Sequence, residues 1–160
     1  MKKIKVLFVC LGNICRSPAA EAIAQHQIDN APHLHDRVEV DSAGLHSYHE
    51  GEPADTRMRE AAAKRGYDVT SISRPVTYED FDRFDYIVAM DDSNAQELYN
   101  RAPTLEASRK IVKMADYFPP GETLDYVPDP YYGGQRGFTL VLDLLEASIH
   151  RLLDEVALEQ

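Results

Sequence analysis

The clearest periodicity in the chain is near its C-terminal end, where Phe138, Val141, Leu142, Leu145, Ile149, Leu152, Leu153 and Val156 recur at steps of three and four. Those steps place the apolar side chains along one stripe of an α-helix. At the other end, residues 4–9 form a brief, apolar, β-branched run of the kind that makes a buried strand. Residues 19 to about 30 read as a helix, with Ser17 as its N-cap and Pro18 as its first helical residue. Val38 and Val40 alternate with Glu39 and Asp41, which predicts a second short strand. Residues 55–64 are helical, and Gly66 is placed to stop them. Thr77, with Asp80 three residues on, resembles a capping box that opens a short helix. Residues 86–90 predict a third strand, 93–101 a helix closed by Pro103, and 111–114 a fourth strand. Residues 117–134 are rich in Pro, Gly and Asp and predict a long loop, which in a compact domain is often functional.

Strands that alternate with helices imply a parallel sheet covered on both faces. The expected fold is therefore α/β: one domain over residues 1–160, an open, twisted, four-stranded parallel sheet of Rossmann-like type. Composition suits this, with 160 residues, 44% hydrophobic and 28% charged. The net charge of -10 argues against nucleic acid as a partner, which usually needs a basic face. An anionic substrate would have to be held by local groups against the overall field. The two cysteines, Cys10 and Cys15, are too few for a disulfide framework, so both are expected as thiols in a reducing cytoplasm. No stretch approaches the length of a membrane span, so no membrane insertion is expected.

The candidate chemistry lies in Cys10-Leu11-Gly12-Asn13-Ile14-Cys15-Arg16-Ser17-Pro18, directly after the first strand. Open α/β sheets bind ligands at the C-terminal ends of their strands. The helix that follows turns its N-terminal dipole and unpaired N–H groups back on the loop, which makes an anion site. Gly12 permits positive φ, and Asn13 tolerates it better than most residues. Arg16 adds a planar fork for two phosphate oxygens. The same positive surroundings act on Cys10. A free thiol titrates near ~8.5, and helix N-termini and cations lower that value. A thiolate at the floor of a phosphate cradle is a nucleophile aimed at phosphorus. Ser17 is placed to donate a hydrogen bond to that sulfur.

These residues resemble the low-molecular-weight protein tyrosine phosphatase family. The run from Val6 to Pro18 matches its loop (the P-loop of the family) nearly letter for letter, and Asp129-Pro130-Tyr131-Tyr132-Gly133 matches a second motif near the C-terminus. Val40-Asp41-Ser42-Ala43-Gly44, Phe84-Asp85-Tyr86-Ile87-Val88 and Met90-Asp91-Asp92-Ser93-Asn94 sit where the family has similar segments. The resemblance implies a phosphotyrosine phosphatase acting through a cysteinyl-phosphate intermediate. Cys10 would be the nucleophile, Arg16 the phosphate binder, and Asp129 the general acid and then base. Leu11, Gly12, Asn13, Ile14, Cys15 and Ser17 would complete the phosphate-binding loop, and Asn13 and Ser42 would support it by hydrogen bonds. Tyr48, Tyr131 and Tyr132 would wall the pocket, Tyr48 standing where relatives often carry tryptophan. Cys15 would be a redox partner that forms a protective disulfide with Cys10. No metal and no cofactor are needed. The implied partners are tyrosine-phosphorylated proteins, a bacterial tyrosine kinase among them, and the chain is expected as a monomer or weak homodimer.

One departure stands out. Many eukaryotic members carry a histidine before the counterpart of Arg74, and this chain has Thr70-Ser71-Ile72-Ser73 there. Support for Ser17 must therefore differ. Three other readings compete. Thioredoxin-linked arsenate reductases on a similar loop need downstream cysteines, and none follows Cys15. Phosphoarginine phosphatases tend to have threonine where Ile14 stands. A non-catalytic phosphotyrosine-binding module would not need Cys10, Arg16 and Asp129 together. His33 with His35, and His46 with His49, are expected as solvated loop residues, and Asp80, Asp82 and Asp85 as a solvated face.

Overall fold

A computed structural model describes residues 2–131 and 133–159. Tyr132, expected in the pocket wall, lies outside the described residues. The strands are β1 (Ile4–Cys10), β2 (Val38–Gly44), β3 (Tyr86–Ala89) and β4 (Ile111–Lys113). They form one four-stranded parallel sheet in the order β2-β1-β3-β4. The helices are α1 (Arg16–Asp29), α2 (Thr56–Ala63), α3 (Tyr78–Arg83), α4 (Asp92–Arg101), α5 (Leu105–Ser108) and α6 (Gln135–Leu158), with a 3-10 turn at Met114–Tyr117. The α/β fold class expected from the alternating pattern is the one observed. The short α5 and the 3-10 turn were not anticipated, because single turns leave no periodicity to read.

Side chains alternate across the sheet with a period of two, and that splits the core. Val6, Phe8 and Cys10 face one apolar layer, with α1, α2 and α6. Leu7 and Val9 face the other, with Phe81, Phe84 and Leu98 from α3 to α4. All eight residues of the C-terminal stripe, from Phe138 to Val156, are buried against the first layer. Thr77 with Asp80 forms the expected capping box of α3, and Asp55, read as helical, instead caps α2 by accepting from the Arg57 N–H. Asp80 departs from the expected solvated face. It is fully buried and accepts two hydrogen bonds from Arg74, at 3.0 and 3.1 Å. A carboxylate with a bidentate guanidinium and a backbone donor can leave water, whereas an unpaired one cannot.

The chain leaves β1 toward β2 on one side and returns to β3 on the other. Strand order therefore reverses beside β1, and the crevice at that switch point opens past Cys10 and Met90. No helix among the described residues is long and apolar enough to cross a membrane.

Leu145→Ala should lower unfolding free energy by ~2–5 kcal/mol, because it opens a cavity between α6 and the sheet. Urea unfolding followed by circular dichroism would measure the loss.

Candidate active site

Helix α1 begins at Arg16, not at Pro18, and Cys15 occupies the cap position without a side-chain capping bond. Ser17 is thus inside the first turn rather than at its cap. Its hydroxyl is committed elsewhere, 3.1 Å from Cys10 Sγ and 2.8 Å from the Asn13 amide nitrogen that donates to it. Pro18 still fits, because the first-turn amides lack helical partners in any case. The uncapped start of α1 leaves its amides facing the loop, as anion binding requires.

Among the described residues Asn13 alone of the non-glycines has positive φ, at 58°. Gly12 does not take up the freedom expected of it. Its value is space: a Cβ there would stand 3.2 Å from both His46 and His49 ring atoms. Asn13 meets the cost of its backbone with its side chain. Its nitrogen donates to Ser17 Oγ and, at 3.1 Å, to Ser42 Oγ, and its oxygen accepts from the Arg74 N–H at 3.0 Å. Ser73 Oγ donates to the Gly12 carbonyl at 3.0 Å. Gly44, at the end of β2, lets this bend close, since a Cβ would lie 3.0 Å from Asn13 Cβ and from the Gly12 carbonyl carbon.

Arg16 is only 2% exposed. Its Nη1 donates to Asp91 Oδ2 at 2.7 Å and to the Val127 carbonyl at 3.0 Å. Its Nη2 stands 3.6 Å from Asp129 Oδ2. Burial disfavours the charge, but Cys10, Asp91 and Asp129 outweigh it and raise the pKa of the guanidinium. Asp91 serves two elements at once, because its Oδ1 accepts from the Asn94 N–H and caps α4. The sequence reading did not name Asp91 as a site residue. An Asp three residues before Asn94 at a strand end signals the cap, but only the fold brings its second oxygen to Arg16.

A cavity of about 290 Å³ opens over the loop. Cys10, Leu11, Gly12, Ile14, Cys15 and Arg16 form its floor, and Asp129 lies beside them. Asp129 Oδ1 accepts from the Tyr131 N–H at 3.0 Å, which orients the carboxylate within its loop. Tyr131 and Tyr48 line the same cavity, Tyr48 at 83% exposure. His46 and His49 stand with them, contrary to their expected place in solvent. The His46 ring lies 4.3 Å from that of Tyr48 and 6.2 Å from that of His49, which is 6.2 Å from that of Tyr131. The rings make a continuous aromatic rim. Burial, followed by the neighbouring His49, lowers the pKa of His46, which favours a neutral ring. Arg57 supports Tyr131 from behind, donating to its carbonyl at 2.9 Å with the guanidinium 5.5 Å from the ring centroid. Cys15 is buried in the floor, and desolvation first, then nearby Asp55 and Cys10, push its thiol far up.

An anion-site turn at the switch point of a parallel sheet, with a thiol and a buried arginine on one cavity, suits a tetrahedral oxyanion and a thiol nucleophile. Comparison with known proteins narrows the class. Residues 5–160 match the low molecular weight phosphotyrosine protein phosphatase family, and the chain belongs to that family. A putative low molecular weight protein-tyrosine-phosphatase from Synechocystis sp. is 47% identical over 156 residues, covering 98% of each chain. A crystal structure of a protein tyrosine phosphatase from Entamoeba histolytica, with Hepes in its active site, superposes with a TM-score of 0.91 at 51% identity, over 96% of this chain and 97% of that one. An arginine phosphatase from Drosophila shares the fold with a TM-score of 0.85 at 35% identity, over 95% of this chain and 97% of that one. The protein is a protein-tyrosine-phosphatase by this membership.

Asp91→Ala should destabilise the protein by about 3–5 kcal/mol, because it strips a buried guanidinium of its 2.7 Å ion-pair partner. Inorganic phosphate should restore part of the loss by supplying that charge, and thermal unfolding with and without phosphate would show both effects.

Proposed function

We propose that the chain hydrolyses phosphotyrosine in proteins through a covalent intermediate on Cys10. The observation that carries this reading is the meeting of Cys10, Arg16 and Asp129 on one cavity, with the Ser17 hydroxyl 3.1 Å from the sulfur. The phosphoryl group of the substrate sits in the loop, where the amides of residues 11–16 and the Arg16 fork neutralise its charge. The Cys10 thiolate attacks phosphorus, and the bond to the tyrosine oxygen breaks. Asp129 gives its proton to that oxygen, so a phenol leaves instead of a phenolate. The Asp129 carboxylate then takes a proton from water, whose oxygen attacks phosphorus and breaks the P–S bond. Ser17 stabilises the departing thiolate by donating to it.

The aromatic rim supports an aryl phosphate. Tyr131, Tyr48, His46 and His49 offer ring faces and edges to a phenyl group. Cys10 is buried at the floor of the cavity, which favours a phosphate carried at the far end of an aromatic ring over one carried on a short serine side chain. Ile14 presents an apolar side chain to the same cavity, which suits an aryl group better than a guanidinium. The Drosophila neighbour is an arginine phosphatase, so a comparison of aryl phosphate with phosphoarginine is the informative one.

Cys10→Ser should abolish turnover of p-nitrophenyl phosphate and phosphotyrosine peptides, while retained turnover would refute the nucleophile assignment. Asp129→Ala should slow hydrolysis most for poor leaving groups, with a loss on the order of 10²–10⁴-fold for phosphotyrosine. Equal slowing across a leaving-group series would count against the acid role.

The same reading includes reversible oxidation. Peroxide converts the Cys10 thiolate to a sulfenic acid, and the Cys15 thiol then displaces its hydroxyl as water to form a disulfide. Burial of Cys15 keeps it a protonated thiol until that attack. Peroxide-treated Cys15→Ser protein should recover less activity with dithiothreitol than wild type does. Equal recovery would remove Cys15 from this role.

A further inference from the structure

We infer that Glu21 is a positioning residue for the nucleophile, acting through Ser42 and Asn13 to aim the Ser17 hydroxyl at Cys10. The inference rests on the nucleophilic role of Cys10 proposed above. It follows from a count of protons along a chain of contacts that is buried from Ser42 to Cys10. Glu21 Oε1 accepts from Ser42 Oγ at 2.6 Å, so the single hydroxyl proton of Ser42 is committed. Ser42 Oγ in turn accepts one proton of the Asn13 amide, and Ser17 Oγ accepts the other. The amide cannot turn over, because its oxygen accepts from the Arg74 N–H, a group that can only donate. Ser17 already receives a proton from Asn13, so its own proton points outward. Two acceptors lie within reach, Cys10 Sγ at 3.1 Å and the Ala43 carbonyl at 3.4 Å. A thiolate at the shorter distance is the stronger acceptor.

Glu21 is the end of this chain and the one carboxylate in it. It lies on α1, one turn beyond Ser17, and reaches Ser42 on β2. Asp41 and Arg74 face it, and Arg74 is shared with Asp41 and Asp80. Burial first, then Asp41, raise the Glu21 carboxyl, while Ser42 and Arg74 draw it down, and the net direction is upward. It lines a second cavity of about 280 Å³ with Pro18, Gln25, His26 and Tyr67, and no lining residue is shared with the catalytic cavity. No step of the mechanism uses Glu21. With no histidine before Arg74, this chain anchors its active-site serine through a carboxylate and a second serine instead.

The test compares wild type with Glu21→Ala and Glu21→Gln, the latter keeping an oxygen acceptor for Ser42. The readout is the rate of Cys10 alkylation by iodoacetamide against pH, followed by mass spectrometry. Glu21→Ala should displace the alkylation profile to higher pH and slow the reaction about 3–10-fold on its rising limb, a part of the worth of one hydrogen bond to a charged acceptor. Glu21→Gln should stay within about twofold of wild type. A carboxylate that acted by charge alone would give the opposite sign, since its removal favours the thiolate, and faster alkylation in both variants would overturn the proposal. A lower Tm with an unmoved alkylation profile would also overturn it and leave Glu21 a structural role. Alkylation does not require turnover. Failure of wild type to hydrolyse p-nitrophenyl phosphate would therefore refute the proposed mechanism, while the three alkylation profiles would still decide the role of Glu21.

Discussion

The buried Arg16 is the constraint on which the rest of the structure depends. A guanidinium at 2% exposure cannot be left unpaired, and each partner it takes belongs to a different part of the chain. Asp91 comes from the start of α4, the Val127 carbonyl from the long loop, and Asp129 from two residues further on. The Val127 N–H donates to the Met90 carbonyl, which returns that loop to the end of β3. One charge thus pins the sheet, the switch-point helix and the loop that carries the candidate acid. In the proposed mechanism the same charge meets the phosphate, so fold stability and anion binding would share one group, already desolvated and oriented.

The loop around Arg16 is held by side chains more than by its own backbone. Asn13 sits in the left-handed region and makes bonds to Ser17, Ser42 and Arg74, which ties the loop to β2 and to the segment before α3. Arg74 is in turn fixed by Asp80 and Asp41. Gly44 removes the one side chain that would block this closure. A loop so supported does not need to rearrange to bind an oxyanion, and a preorganised donor set is worth more to catalysis than a mobile one. The aromatic rim is different in kind. Tyr48 is mostly in solvent, whereas Cys10, Cys15 and Arg16 of the floor are buried.

Several elements were legible before any coordinates. The C-terminal stripe, the strand before Cys10 and the capping box at Thr77 follow from periods and caps that operate within a few residues. The candidate chemistry was equally local, because the thiol, the guanidinium and the helix N-terminus all lie within one loop. The start of α1 was misplaced by two residues. A serine before a proline is a good cap by local rules, but the hydroxyl of Ser17 has a stronger use at Cys10, 3.1 Å away. Asp80 was read as solvent-facing because its partner is Arg74, whose position depends on the bend before α3. His46 and His49 were read as loop residues in water, and they form part of the pocket rim because β2 ends beside the loop that follows β1.

By itself the sequence determined the alternation of strands and helices, the anion-binding loop and the identity of its nucleophile candidate. These depend on hydrophobic period, helix capping and residue chemistry over short spans, where the chain can meet only itself. Tertiary structure decided which carboxylates face Arg16, which rings stand on the rim, and how Glu21 reaches Cys10 through three other side chains. Those contacts join residues as far apart as Arg16 and Val127, and their energies depend on burial and distance. Neither burial nor distance exists until the sheet has brought the ends of β1, β2 and β3 together.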